Sequence, residues 1–229
     1  MIDLPASWQE KLQTIDWSKL EEKVQDYGPV IQVIQHTWNR ESLQEISQGK
    51  LFVPDEVVNE AIAQRIPANG RVTALKVVSH ANGRMDIVTD TTSVGKIELS
   101  GEIKEFVHSG DKSYAVYQVR ERNIPSHGLM SWVFSRISLS MAERLVGKIE
   151  ISDDLPVNIH RNTINIDYSK VLAASDFGKA EFQGYRLLDL IEVEGAVPKE
   201  GGIEFQTKLN VPDSVKNVLM QLVADETED

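Results

Sequence analysis

Between Val53 and Tyr168 the apolar residues change their spacing three times, from a helical period to alternation, back to a helical period, and back to alternation. A chain patterned in that order buries all its stripes together when strands wrap onto helices. The pattern therefore predicts an α+β fold in which a strongly curved antiparallel sheet cradles a long helix. The first helix is marked at both ends. Pro54 suits a first helical position, Asp55 and Glu56 complement the positive end of the helix dipole, Val57, Val58, Ala61, Ile62 and Ile66 form its stripe, and Pro67 closes it.

Strands follow. Val72, Ala74, Leu75 and Val77 lie in an extended segment, and Asn82-Gly83 offers the positive-φ pair of a type I′ hairpin that returns through Met85, Ile87 and Val88. A third strand carries Ile97, Leu99 and Ile103, with Gly101 easing a bend and Phe106-Val107 marking a change of phase. Ser109-Gly110-Asp111 turns the chain into a fourth strand from Tyr114 to Val119, apolar enough on both faces for both to be covered.

From Leu129 to Val146 the period is helical again. Leu129, Met130, Val133, Phe134, Ile137, Met141 and Leu145 form a broad stripe, while Trp132, Leu139 and Val146 form a narrower one, with Ser131, Ser135 and Ser138 between them. A helix apolar on two sides is sandwiched between protein layers, or faces a layer on one side and a cavity on the other. Those two outcomes separate a packed core from a binding site.

Alternation resumes at Val157 and Ile159, turns at His160-Arg161-Asn162, and continues through Ile164, Ile166 and Tyr168. Leu188, Leu190 and then Ile203, Phe205, Leu209 and Val211 read as a final strand pair divided by Pro198 and Gly201-Gly202. Pro212-Asp213-Ser214 opens a C-terminal helix with Val215, Val218, Leu219, Leu222 and Val223 at helical spacing. Residues 1–50 read as a helical N-terminal extension, a lid or appendage, with Val30, Ile31, Val33, Ile34 and Trp38 on one face and Trp8 and Trp17 as anchors. Residues 51–229 read as the curved-sheet-plus-helix domain.

Lys and Arg total 24 against 35 Asp and Glu, and a net charge of −11 argues against wholesale binding to nucleic acid. The chain has no cysteine, hence no disulfide and no thiolate metal site. No uninterrupted apolar run approaches the roughly 18 to 20 residues that span a bilayer, so no transmembrane segment is expected, although transient membrane contact is compatible with the sequence. The start lacks a basic and apolar leader, which places the protein in the cytoplasm unless an export signal has been removed. None of His36, His80, His108, His127 and His160 has metal-ligand spacing, the glycines at Gly195, Gly201 and Gly202 do not form a phosphate loop, and no nucleophile elbow occurs. The sequence thus gives no catalytic residue, no metal site and no cofactor.

The helix at Pro54-Asp55-Glu56-Val57-Val58-Asn59, the alternating strands to Val119, the helix from Leu129, and the return from Leu155-Pro156-Val157 to Ile164-Asn165-Ile166-Asp167 resemble the tubular lipid-binding superfamily, particularly its small bacterial LmeA-like and YceB-like members. The resemblance covers about the middle half of the chain and implies binding of a lipid or other apolar small molecule in a groove between sheet and helix. On that expectation Met130, Val133, Phe134, Ile137, Met141 and Leu145 line the groove, and Arg136 and Arg144 meet a headgroup. Burying about ten methylenes at roughly 0.8 kcal/mol each contributes on the order of 8 kcal/mol before ordering costs, enough for affinity without a polar motif. The competing expectation is a structural or interaction protein with a filled core, which oligomerises or docks a partner through its N-terminal helices or a sheet edge.

Overall fold

One strand organises the molecule. A computed structural model describes residues 40–64, 66, 68, 70–125, 133–146, 155–182, 185–211 and 216–217. Their order is α1 (Arg40–Ser47), β1 (Lys50–Pro54), α2 (Asp55–Ala63), β2 (Val72–Ser79), β3 (Met85–Thr91), β4 (Gly95–Ser109), β5 (Lys112–Asn123), α3 (Leu139–Val146), β6 (Val157–His160), β7 (Thr163–Asp167), α4 (Ser169–Ala174), α5 (Asp176–Lys179), β8 (Glu181–Phe182), β9 (Tyr185–Arg186), a 3-10 turn (Leu187–Asp189), β10 (Ile191–Lys199) and β11 (Gly202–Leu209). The fold is α+β and rich in sheet: nine strands form one large curved antiparallel sheet, and β8 and β9 form a small separate pair.

At 15 residues β4 is long enough to serve two neighbours on one edge. Its first half pairs with β3 from Gly95 to Gly101, its far end meets β10 at His108, and β5 runs along the other edge. The sheet consequently forks: β2 and β3 leave on one branch, and β10, β11 and β1 on the other. Register with β5 slips between Ser100 and Gly101 and again between Ile103 and Glu105. Each such bulge adds local twist and bends the strand. At the first bulge a side chain is excluded, because a Cβ on Gly101 would lie 2.1 Å from the Gln118 carbonyl oxygen.

The inner face of the bend holds the core. Val77, Met85, Ile97, Leu99, Tyr117, Val119, Ile164, Ala196 and Ile203 from seven strands pack with Ile124, Phe134, Leu139 and Ala142. Within it the Tyr117 hydroxyl donates to the Met85 carbonyl at 2.5 Å, which satisfies the phenol, and burial pushes its pKa well above the usual phenol range.

Several expectations need correction. The segment from Leu129 to Val146 is not one helix among its described residues: Val133 and Phe134 are helical, Ser135 to Ile137 form a turn and bend, and α3 begins at Leu139 after Ser138. Of the hairpin pair only Gly83 has positive φ (78°), and its N–H donates to the His80 carbonyl at 3.1 Å. The turn is thus type I followed by a left-handed glycine, the next most favoured hairpin solution after type I′. Pro54 ends β1 and caps α2 from outside, so the helix starts one residue later than expected. Leu188 lies in the 3-10 turn, and Pro198 sits within β10 rather than between strands. Leu43 and Ile46 of α1, each 1% exposed, are buried on the side that meets β1 and β11. Residues 1–39, with Trp8, Trp17 and Trp38, and all of the expected C-terminal helix except the helical Lys216 and Asn217 lie outside the described residues.

Candidate functional site

Four places in the structure bear on function. The first is the segment expected to line a groove. Its break has a local cause: serine is a strong helix N-cap, and Ser138 Oγ accepts the Met141 N–H at 3.3 Å while Ser138 O accepts the Ala142 N–H at 2.9 Å. The other open N–H groups at that end are met from the β6–β7 turn. Asn162 Oδ1 accepts from Leu139 N at 3.0 Å, and the Arg161 carbonyl accepts from Ser140 N at 2.9 Å. Arg122 ties the arrangement to β5, donating from Nε to the Phe134 carbonyl and from Nη1 to Asn162 Oδ1, both at 2.8 Å. Burial lowers the Arg122 pKa from its ordinary value.

The residues expected to line the groove therefore divide. Phe134 is 4% exposed and belongs to the core, and Ile137 packs half-buried against it. Val133 and Met141 stand at the surface, 36% and 54% exposed, and Arg136 is exposed as well. Met130 lies outside the described residues, as do the side chains of Arg144 and Leu145, whose backbone belongs to α3. The two clefts described below are not lined by any residue of 133–146.

The larger cleft, about 480 Å³, lies over β3, β4 and β5 and is lined by Asp86, Val88, Glu98, Leu99, Ser100, Glu121, Arg122 and Asn123. Two of its carboxylates, those of Asp86 and Glu121, are already paired. His80 Nε2 is 2.9 Å from Asp86 Oδ2, and Arg84 Nη2 donates to Glu121 Oε1 at 2.9 Å. Burial would raise the Asp86 pKa, but hydrogen bonds from Ser100 and His80, with the charges of His80 and Arg84, bring it below the usual carboxylate value. A His–Asp pair of this kind can orient a base, yet both side chains are more than a third exposed and nothing else in the cleft completes a reaction centre. A second base–hydroxyl pair is sealed in. His108 Nδ1 is 2.8 Å from Ser113 Oγ and His108 Nε2 is 2.8 Å from the Leu188 carbonyl, so Nε2 carries the proton and Nδ1 accepts from the serine. With His108 at 6% and Ser113 at 2% exposure, the pair pins β4 and β5 to the 3-10 turn.

The smaller cleft, about 250 Å³, lies between α2 and the free edge of β2 and is lined by Asn59, Ala63, Ile66, Ala68, Thr73, Ala74, Leu75 and Lys76. Here the sheet edge is covered by side chains of α2, and at its end by the β10–β11 turn, where Gly201 N–H donates to the Ser79 carbonyl at 3.3 Å. Asn59 Nδ2 donates to the Val77 carbonyl at 2.9 Å, and Asn59 Oδ1 accepts from Val77 N at 2.7 Å. One turn earlier Asp55 accepts from Ser79 N at 2.6 Å and from Ser79 Oγ at 2.7 Å. Because alternate residues of a strand direct both backbone groups to the same edge, the N–H and C=O of Leu75 point outward with those of Val77 and Ser79. Among the described residues nothing bonds them there, and Leu75 lies in the cleft. The spacing Asp55-x-x-x-Asn59, two short polar side chains one helical turn apart on an otherwise apolar face, was the sequence signal for this cover.

Among the described residues no group of three or more His, Asp or Glu side chains could hold a metal ion, and no helix is long and apolar enough to cross a membrane. Compared with protein-family models, curated proteins and solved structures, the chain matches none.

Proposed function

We propose that this chain is a non-catalytic docking protein whose curved sheet receives an extended segment of a partner along the free edge of β2. One observation carries the reading: the Asn59 amide makes with Val77 the pair of hydrogen bonds a neighbouring strand would make, and the next pair along the edge, at Leu75, has no partner among the described residues and lies above a cleft of about 250 Å³. An exposed edge is a template for strand addition, and natural sheets cover such edges unless pairing is their use. The test follows the amide of Leu75 by hydrogen exchange in the full chain while a panel of extended peptides is added. Protection that grows at Leu75 and leaves Val77 unchanged is expected; no protection with any peptide would end the reading.

A second reading keeps the apolar ligand, held between the curved sheet and the segment 133–146. It is supported by Val133 and Met141, two apolar side chains of 133–146 left at the surface beside the core. Native mass spectrometry of the purified protein for retained acyl species decides between the two. On the docking reading a fluorescent fatty acid binds the Met141→Glu variant and the parent equally or not at all, whereas on the lipid reading the substitution abolishes uptake.

A further inference from the structure

Resting on the docking reading, we infer that the strand received at β2 is acidic: an extended peptide carrying a carboxylate next to a small apolar residue. Among the described residues the cleft beside Leu75 has one charged lining residue, Lys76, and no acid. On the other strands Lys50, Lys96, Lys104, Lys199 and Lys208 each lie within 3.9 Å of a carboxylate. Among the described residues Lys76 does not, and neither does Lys112 at the start of β5. The cross-strand partner of Lys76 on β3 is Val88; of its two diagonal neighbours, Asp86 is already engaged by His80, and the exposed Asp90 makes no ion pair with it. Lys76 is exposed, as is Arg71 just before the strand, so both ammonium and guanidinium are hydrated and accessible.

The other walls set the rest of the ligand's chemistry. Ala63 continues the Asn59 line of α2 one turn further on, and with Ile66 and Ala68 it makes a low apolar wall beside the open backbone pair of Leu75, while Ala74 shares the Lys76 face of the strand. Glu56 and Glu60 stand about 100° around the helix from Asp55 and Asn59, off this line. In a chain of net charge −11, a groove whose lining charge is a lone lysine selects against basic peptides locally and for carboxylates, while the backbone pairing itself is blind to sequence. A strand laid along β2 places alternate side chains toward the alanine wall and toward the Lys76 side, so the preferred peptide alternates a small apolar residue with Asp or Glu.

Three peptides of one alternating alanine-valine design, differing only in Asp, Asn or Lys at the positions facing Lys76, test this on the full chain by amide chemical shifts and hydrogen exchange. The Asp peptide is expected to bind about threefold to fivefold more tightly than the Asn peptide and more tightly still than the Lys peptide, as one exposed ion pair allows. Lys76→Gln, a surface change that leaves the core alone, is expected to erase that order while Leu75 protection persists with all three. Equal binding of all three to the parent chain, or an unchanged order in Lys76→Gln, overturns the acidic preference and leaves strand docking intact. No protection of Leu75 by any of them overturns docking itself. Protection that appears without peptide and grows with protein concentration assigns the edge to a second copy of this chain, and overturns the proposal.

Discussion

α2 and the segment from Val133 to Val146 lie against the same sheet, and they are held by opposite means. α2 has no fully buried residue; its Val58 and Ile62 are half-buried, and its attachment to β2 runs through the polar side chains of Asp55 and Asn59. The later segment drives Phe134, Leu139 and Ala142 into the core at 4%, 1% and 1% exposure, and its polar contacts serve to cap it. Hydrophobic burial is non-directional and tolerates sliding, whereas a side chain bonded to one backbone pair fixes a register. The contrast assigns the later segment to stability and α2 to the protection of a single strand edge, which among the described residues stops at Leu75.

The largest effect that would break this contrast is at Phe134. Truncating a buried phenylalanine costs both transfer energy and the cavity left behind, so Phe134→Ala is expected to lower stability by about 3–5 kcal/mol in chemical denaturation. A loss below about 1 kcal/mol would place the ring outside the core and remove the distinction between the two elements. Asn162→Ala comes next. It leaves Leu139 N–H and an Arg122 nitrogen without their acceptor, and a cost of about 2 kcal/mol is expected, with faster exchange at the Leu139 amide.

Asn59→Ala should do less to the whole and more to one place. Losing two bonds at a half-buried edge costs about 1 kcal/mol, and the Val77 amide should exchange faster while those of the core strands hold. If instead all core amides speed up together, α2 is part of the global folding unit and the division of labour fails.

How much of this was legible in the residues follows the same division. The alternation that marks β2 to β5 and the hairpin at His160 to Thr163 reports burial on one face of a sheet, and it is visible because burial acts residue by residue. The break after Ser135 was not read, although serine three residues before Met141 is an N-cap signal, because the apolar stripe continues across it and the cap's other acceptors come from Arg161 and Asn162, more than twenty residues away. β1 was missed for a similar reason. Five residues ending in proline carry little periodicity, and what makes them a strand is β11, some 150 residues later. The groove-lining stripe from Met130 to Leu145 was read as one face, and the kink at Ser135 to Ser138 sends its described members to different surroundings, Phe134 inward and Met141 outward. The edge cover by Asp55 and Asn59 left a trace in their spacing, but nothing local says which strand they meet.

The smallest expected effect sharpens the comparison at the cap. Arg161 is the one non-glycine residue with positive φ among those described, at 54°, and it holds this conformation in a two-residue turn while its carbonyl accepts from Ser140 and its neighbour Asn162 binds Leu139 and Arg122. A left-handed conformation costs an ordinary L-residue about 1–2 kcal/mol, and glycine there escapes that cost but loses about 0.5–1 kcal/mol more backbone entropy on folding. Arg161→Gly should therefore raise stability by about 0.5 kcal/mol, since the bond it makes to α3 is through the backbone and survives the change. A loss of stability would mean that the arginine side chain itself holds α3 in place, so that the later segment, like α2, depends on a directional side-chain tie.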